Sequence, residues 1–110
     1  MRPDDRIRLQ HMLDACQEAR AFLKGHQEID LEHNRMLLLA LVKCIEIIGE
    51  AASRISDELR EEAAHLPWRN IVAMRNRLIH GYFDVNPRII WKTIDEEIPQ
   101  LVEQLEILLK

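Results

Sequence analysis

Met36-Leu37-Leu38-Leu39-Ala40-Leu41-Val42-Lys43-Cys44-Ile45-Glu46-Ile47-Ile48-Gly49-Glu50-Ala51-Ala52 is the stretch that decides the fold of this 110-residue chain. Leu41, Ile45, Ile48, Ala52 and Ile55 recur every three or four residues, the period of an α-helix. Leu37, Leu38, Cys44, Ile47 and Ala51 form a second apolar stripe. A helix apolar over so much of its circumference has to be covered on several sides. It is therefore the central helix of a bundle, or it also faces a second subunit. The spacing predicts one helix from Leu31 to about Ile55, with Asp30 as N-cap and Glu32 complementing the helix dipole. Gly49 costs this helix stability, but small Gly49, Ala51 and Ala52 permit another helix to come close.

Working outward, Leu9, Met12, Leu13, Cys16, Ala19 and Leu23 mark one face of a first helix, capped by Asp4 or Asp5 and ended by Gly25. Ser56 or Asp57 starts a short third helix through Ala64. Pro67 suits the first turn of a fourth, Trp68 to about His80, which Gly81 terminates. Tyr82 to Val85 form a turn, and Asn86-Pro87 opens a fifth helix. Pro99 kinks that helix or restarts it after Glu97 or Ile98. Leu101, Leu105 and Leu108 carry its apolar face onward. The expectation is one all-α domain over residues 1–110, an up-and-down bundle of four or five helices.

Composition agrees. Hydrophobic residues at 47% and charged residues at 31% exclude disorder, and 3 Gly with 4 Pro exclude a collagen-like or many-turned chain. Aromatics at 5% give little material for a β-sandwich core. The net charge of −4 excludes a chain that binds polyanions over its whole surface. Between His65 and Lys92, however, Arg69, Arg75, Arg77, Arg88 and Lys92 meet one acid, Asp84, for a net +4 against −8 elsewhere. That window is a solvated face or a local phosphate-binding patch. Cys16 and Cys44 read as buried reduced thiols. No leader is visible, and the run Met36–Val42 is too short to span a bilayer, so the expectation is a soluble cytoplasmic protein with no membrane contact.

The histidines do not make a metal site: His26 and His33 are seven apart, and no Cys or carboxylate cluster completes them. His11, His26, His33 and His65 read as surface residues. No cofactor-binding loop is present. The segment that stands out is Arg75-Asn76-Arg77-Leu78-Ile79-His80-Gly81-Tyr82-Phe83-Asp84. Asn76 and His80 share a helix face. Arg75 lies about 140° round from His80, but its long side chain can swing toward that end. The helix C-terminus favours an imidazolium at His80, a group that can take and give protons. A guanidinium beside it would hold a phosphate and stabilise developing charge. These are parts for metal-free RNA cleavage. The alternative is a His and an Arg that cap carbonyls and pair with Asp84 and Glu side chains.

Arg75-x-x-x-x-His80-x-Tyr82 resembles the Arg-x4-His-x-Tyr signature of HEPN-domain toxins of the HepT-like family. The resemblance covers most of the chain. Ile47-Ile48-Gly49-Glu50-Ala51-Ala52 is similar to that family's central helix, and Leu66-Pro67-Trp68-Arg69-Asn70-Ile71 through Asp84 to its active-site helix and turn. Ile90-Trp91-Lys92 and Ile98-Pro99-Gln100-Leu101 resemble its final helix. The resemblance implies a homodimer in which Arg75 and His80 of both subunits face a shared cleft. It implies a metal-independent endoribonuclease toxin of a type II toxin-antitoxin module, acting on RNA. Its partner would be a minimal nucleotidyltransferase antitoxin able to attach AMP to the motif tyrosine. By position, Arg75 would grip the scissile phosphate and His80 would be the general acid/base. Asn76 would orient the site, and Tyr82 would be the residue modified. Glu50, as a possible buried structural acid, is not assigned to catalysis. Two other readings stand beside this one: a non-catalytic helical dimer that binds and regulates a nucleotidyltransferase, and a nucleotide- or RNA-binding module using the +4 window.

Overall fold

A computed structural model describes residues 1–80 and 85–110, and the side chains of all of these except 77–80. Helix α1 is Pro3–Leu23, α2 Asp30–His33, α3 Arg35–Ser53 and α4 Asp57–Glu62. Helix α5 is Trp68–His80 and α6 is Pro87–Lys92. A π-helical turn, Thr93–Glu97, joins α6 to α7, Ile98–Leu109. Among the described residues there is no strand, and no helix is long and apolar enough to cross a membrane. The architecture is all-α and HEPN-like.

Helix α3 is the centre. It packs along α1 on one side and α5 on another, and α7 packs against α1. Leu41, Ile45, Ile48 and Ala52 are buried, as are Leu37, Leu38, Cys44 and Ala51 of the second stripe. They meet Leu9, Met12, Cys16 and Ala19 of α1 and Leu105 of α7 in one core. Fully burying one such aliphatic side chain contributes about 1.5–3 kcal/mol, so this helix holds a large share of the fold's cohesion. Cys16 and Cys44 are free and buried, and burial pushes their thiols up to about 12 and about 11, so neither is a ready nucleophile.

The single helix expected from Leu31 to Ile55 is broken at Asn34, which leaves helical geometry at φ −124° and ψ 88°. Its side chain accepts from the Leu37 amide at 3.0 Å and so becomes the N-cap of α3. Asp30 does not cap: it is the first residue of α2, and its carboxylate closes the preceding turn by accepting from the Gln27 amide at 2.8 Å. The first helix likewise starts earlier than expected. Pro3 occupies its first turn behind Arg2, so neither Asp4 nor Asp5 is its cap. The third helix starts after the Ser56 cap, as expected, and stops at Glu62 rather than Ala64. Gly25 follows α1 with φ +83°, the left-handed geometry that favours glycine there.

Pro99 acts as expected, by restarting the helix at Ile98. Proline cannot donate to the carbonyl four residues back, and its ring crowds that carbonyl. The wider π turn before it absorbs both constraints, and Thr93 Oγ1 ties the turn to α6 by donating to the Ile89 carbonyl at 2.8 Å. Ile94, Ile98 and Leu101 thereby stay in the core despite the break.

Two contacts fix how the helices meet. Asp5 is buried, and accepts from the Ser56 amide at 3.0 Å and from Ser56 Oγ at 2.6 Å. Ser56 Oγ in turn accepts from the Leu59 amide at 3.2 Å, so one carboxylate ties α1 to the cap of α4. The second contact is Gly49. A methyl group there would overlap Cβ of Arg75 and come within 3.0 Å of its Cγ, so α5 can reach α3 only where the side chain is missing.

Both contacts are testable by chemical denaturation. Burial pushes the Asp5 carboxyl up, but the two Ser56 bonds and the Arg2 charge outweigh it and hold the group below its usual range. Its contribution is therefore complete above the unfolded value, about pH 4, and is lost as pH falls through the lower folded value. Asp5→Asn should flatten that acid limb and lower stability at neutral pH by about 1–3 kcal/mol. Gly49→Ala gains about 1 kcal/mol of helix propensity but forces overpacking that costs about 1–3 kcal/mol. The overlap involves Cβ rather than a flexible tip, so the overpacking should win and the variant should be less stable than the parent.

Candidate functional site

The site is built where α5 crosses α3. Trp68 anchors the start of α5, donating from Nε1 to the Ala63 carbonyl at 3.0 Å inside the core. Ile71, Val72 and Met74 lie partly buried against the core. Arg75 then has its aliphatic stem on Gly49, and its guanidinium reaches the outer edge of α3. Nη1 donates to Glu50 Oε2. Nε and Nη2 donate to Asn76 Oδ1 at 3.2 and 2.8 Å. The other oxygen of Glu50 accepts from Arg54 Nε at 2.9 Å. The four side chains form one chain of charge-assisted hydrogen bonds, Arg54–Glu50–Arg75–Asn76.

The Arg75 side chain is 21% exposed and Glu50 is 48% exposed. Pairs this open add little stability. What the arrangement does is fix the direction of the guanidinium. Glu50 is thus not a buried structural acid: it is the exposed carboxylate that holds Arg75. Its carboxyl lies below the usual range, chiefly because Arg54 donates to it and also because Arg75 does, which outweighs partial desolvation.

Arg75 and Glu50 stand at a groove of about 430 Å³ between α1 and α3. Arg8 and His11 line it from α1, and Lys43, Ile47 and Arg54 from α3. Among the described residues, no three His, Cys, Asp or Glu side chains are placed to hold a metal ion. A larger cleft of about 570 Å³ lies between α5 and α7, floored by Ile45 and Ile48 and walled by Ile71, Met74 and Leu101. Among the described residues no Arg or Lys lines it, whereas the smaller groove has four.

Of the residues singled out in the sequence, Arg75 and Asn76 are brought together by direct hydrogen bonds. His80 is the last residue of α5, and its side chain and Tyr82 lie outside the described residues. Of the cations in the +4 window whose side chains are described, Arg69, Arg88 and Lys92 are not among the residues that line the groove with Arg75. The groove's other cations come from residues 8, 43 and 54, far away in sequence. Their signal was present as spacing, since 43, 47, 50 and 54 fall on one face of α3 and 8 and 11 on one face of α1. The tertiary step that joins the two faces is not written locally.

Comparison with known proteins gives a consistent picture. A family model described as Ribonuclease HepT-like matches residues 12–108. A protein of Caldanaerobacter subterraneus subsp. tengcongensis, named "Putative RNase", is 42% identical over 102 residues, covering 93% of this chain and 91% of its own. One of Methanocaldococcus jannaschii with the same description is 32% identical over 99 residues, covering 90% and 91%. The Thermococcus cleftensis protein named "Probable ribonuclease HepT" is 42% identical over 71 residues, 64% of each chain. No solved structure gives a significant match. With the family model covering nearly the whole chain on an all-α framework, this chain belongs to the HepT-like ribonuclease family.

Proposed function

We propose that this protein is a metal-independent endoribonuclease, the toxin of a type II toxin-antitoxin module, acting on RNA in the cytoplasm as a homodimer. The observation that carries the proposal is Arg75: a guanidinium held by Glu50 and Asn76 in a cationic groove, five residues before His80 on the same helix. Five residues of helix advance about 7.5 Å, the scale of one phosphodiester and its two riboses.

In this reading Arg75 binds the non-bridging oxygens of the scissile phosphate. The ribose 2′-oxygen attacks the adjacent phosphorus, and the bond from phosphorus to the 5′-oxygen breaks. The products are a 2′,3′-cyclic phosphate and a 5′-hydroxyl. One proton leaves the 2′-hydroxyl and one must reach the departing 5′-oxygen, and the imidazoles of His80 from two subunits would carry them. Charge developing on the phosphate is met by the guanidinium. Asn76 keeps Arg75 aimed. DNA, lacking the 2′-hydroxyl, would be inert. Exposed Met36 and Leu39 on α3 leave apolar surface that a second copy could cover, which supports the dimer.

Neutralisation is assigned to a minimal nucleotidyltransferase that attaches AMP to Tyr82. Two residues beyond the end of α5, that phenol would place a phosphate beside Arg75 and His80. The added charge would compete for the guanidinium and repel an RNA backbone.

Total RNA incubated with purified protein in EDTA should be cleaved to cyclic-phosphate ends. His80→Ala should slow cleavage by about 10²–10⁴-fold, and Arg75→Ala should also abolish most of it, with helix content and sedimentation unchanged. Cleavage that requires a divalent ion, or that survives both substitutions, rejects the mechanism.

Incubation with the partner nucleotidyltransferase, ATP and Mg²⁺ should add AMP to the peptide containing Tyr82, as read by mass spectrometry, and Tyr82→Phe should stay unmodified. Full neutralisation of Tyr82→Phe by the active partner, with no modified peptide, would instead show inhibition by binding alone.

A further inference from the structure

We propose that the groove between α1 and α3 is a track for the backbone phosphates of single-stranded RNA, leading the strand to Arg75. The inference rests on the ribonuclease reading and extends it from the reacting phosphate to its neighbours.

Among the described residues, four permanent cations, Arg8, Lys43, Arg54 and Arg75, line this one groove together with His11 and two carboxylates, Glu46 and Glu50. The concentration is unexpected on a chain of net charge −4. Lys43 and Arg54 lie on one face of α3, about 16 Å apart along its axis, so their charges are spread along the groove and not stacked at one point. Lys43 is 70% exposed, and its pairing with Glu46 is long, at 3.8 Å. Arg8 stands on α1 and the other three cations on α3 and α5, so the charge lines the groove from both sides.

Among the described residues, Ile47 and Ala51 are its apolar members and none of the lining side chains is aromatic. On those residues affinity comes from charge. A second copy of this chain is the poorer occupant. An isologous contact centred on the groove would bring Lys43 and Arg54 toward the same cations of the other subunit.

The test measures binding of a fluorescein-labelled oligouridylate by the full chain carrying His80→Ala, across a salt series. In that background, Lys43→Gln with Arg54→Gln should weaken binding roughly tenfold at low salt and flatten the salt slope by about 0.7 per lost contact. Arg8→Gln alone should weaken it in the same direction. Arg88→Gln with Lys92→Gln, an equal charge change outside the groove, should leave binding close to the parent. If the exposed Lys43 and Arg54 variants bind like the parent, or no worse than the Arg88 and Lys92 pair, the track is rejected. If they instead change the sedimenting species, the groove is a contact between copies and the track is again rejected. Cleavage by the chain with His80 intact is followed in parallel. Cleavage with unaltered binding by the groove variants rejects the track alone. Loss of binding in those variants, with no cleavage by the parent, supports the track and rejects the ribonuclease reading.

Discussion

At Gly49 the stem of Arg75 lies directly on the backbone of α3, in space where any other residue would put a Cβ. That missing atom sets how near α5 comes, and α5 carries Arg75 and Asn76. It also sets where the guanidinium emerges: beside Glu50, the residue after Gly49, whose carboxylate is already held by Arg54. One absent methyl group therefore decides the packing of two helices and the aim of the charged group between them. The helix propensity given up at Gly49 is about 1 kcal/mol, small beside the overlap that any side chain would impose.

The central helix serves two purposes that its period keeps apart. Its buried face, through Leu41, Ile45, Ile48 and Ala52, joins the core. Its outer stripe, through Lys43, Ile47, Glu50 and Arg54, lines the groove. Gly49 and Glu50 are adjacent in sequence and about 100° apart around the helix, so packing and chemistry meet without sharing a side chain. The same economy appears at Asp5. A carboxylate buried among apolar groups is costly alone, but here it accepts two bonds from Ser56 and links the first helix to the cap of the fourth.

Much of this was legible in the sequence because it is periodic. The apolar steps through Leu41, Ile45, Ile48 and Ala52 give the central helix, and Pro99 gives the restart at Ile98 without any knowledge of neighbours. The break at Asn34 was not legible in the same way. Apolar positions continue across it at helical spacing, and only the side-chain bond to the Leu37 amide shows that Asn34 ends one helix and starts another. Asp30 misleads for a related reason: Asp suits both a helix cap and the turn before it, and the Gln27 amide claims it. Arg75 and Asn76 were legible as adjacent residues of a motif. Glu50 was not, because its role depends on a contact 25 residues away in sequence.

The charge distribution shows why counting along the chain fails here. The basic window around Arg75 looks like a patch because its residues are close in sequence, yet helices point neighbouring residues to different sides. The cations that share a groove with Arg75 come from α1 and from the outer stripe of α3, two helices that lie outside that window. In the free protein Arg75 is occupied on both sides, by Glu50 and by Asn76. A phosphate arriving there exchanges one anionic partner for another and need not find a bare guanidinium. Glu50 is well exposed and has Arg54 to fall back on, so releasing Arg75 leaves no charge buried and unpaired. The carboxylate can thus fix the direction of the arginine and yield it at little cost, a combination that a fully buried ion pair could not provide.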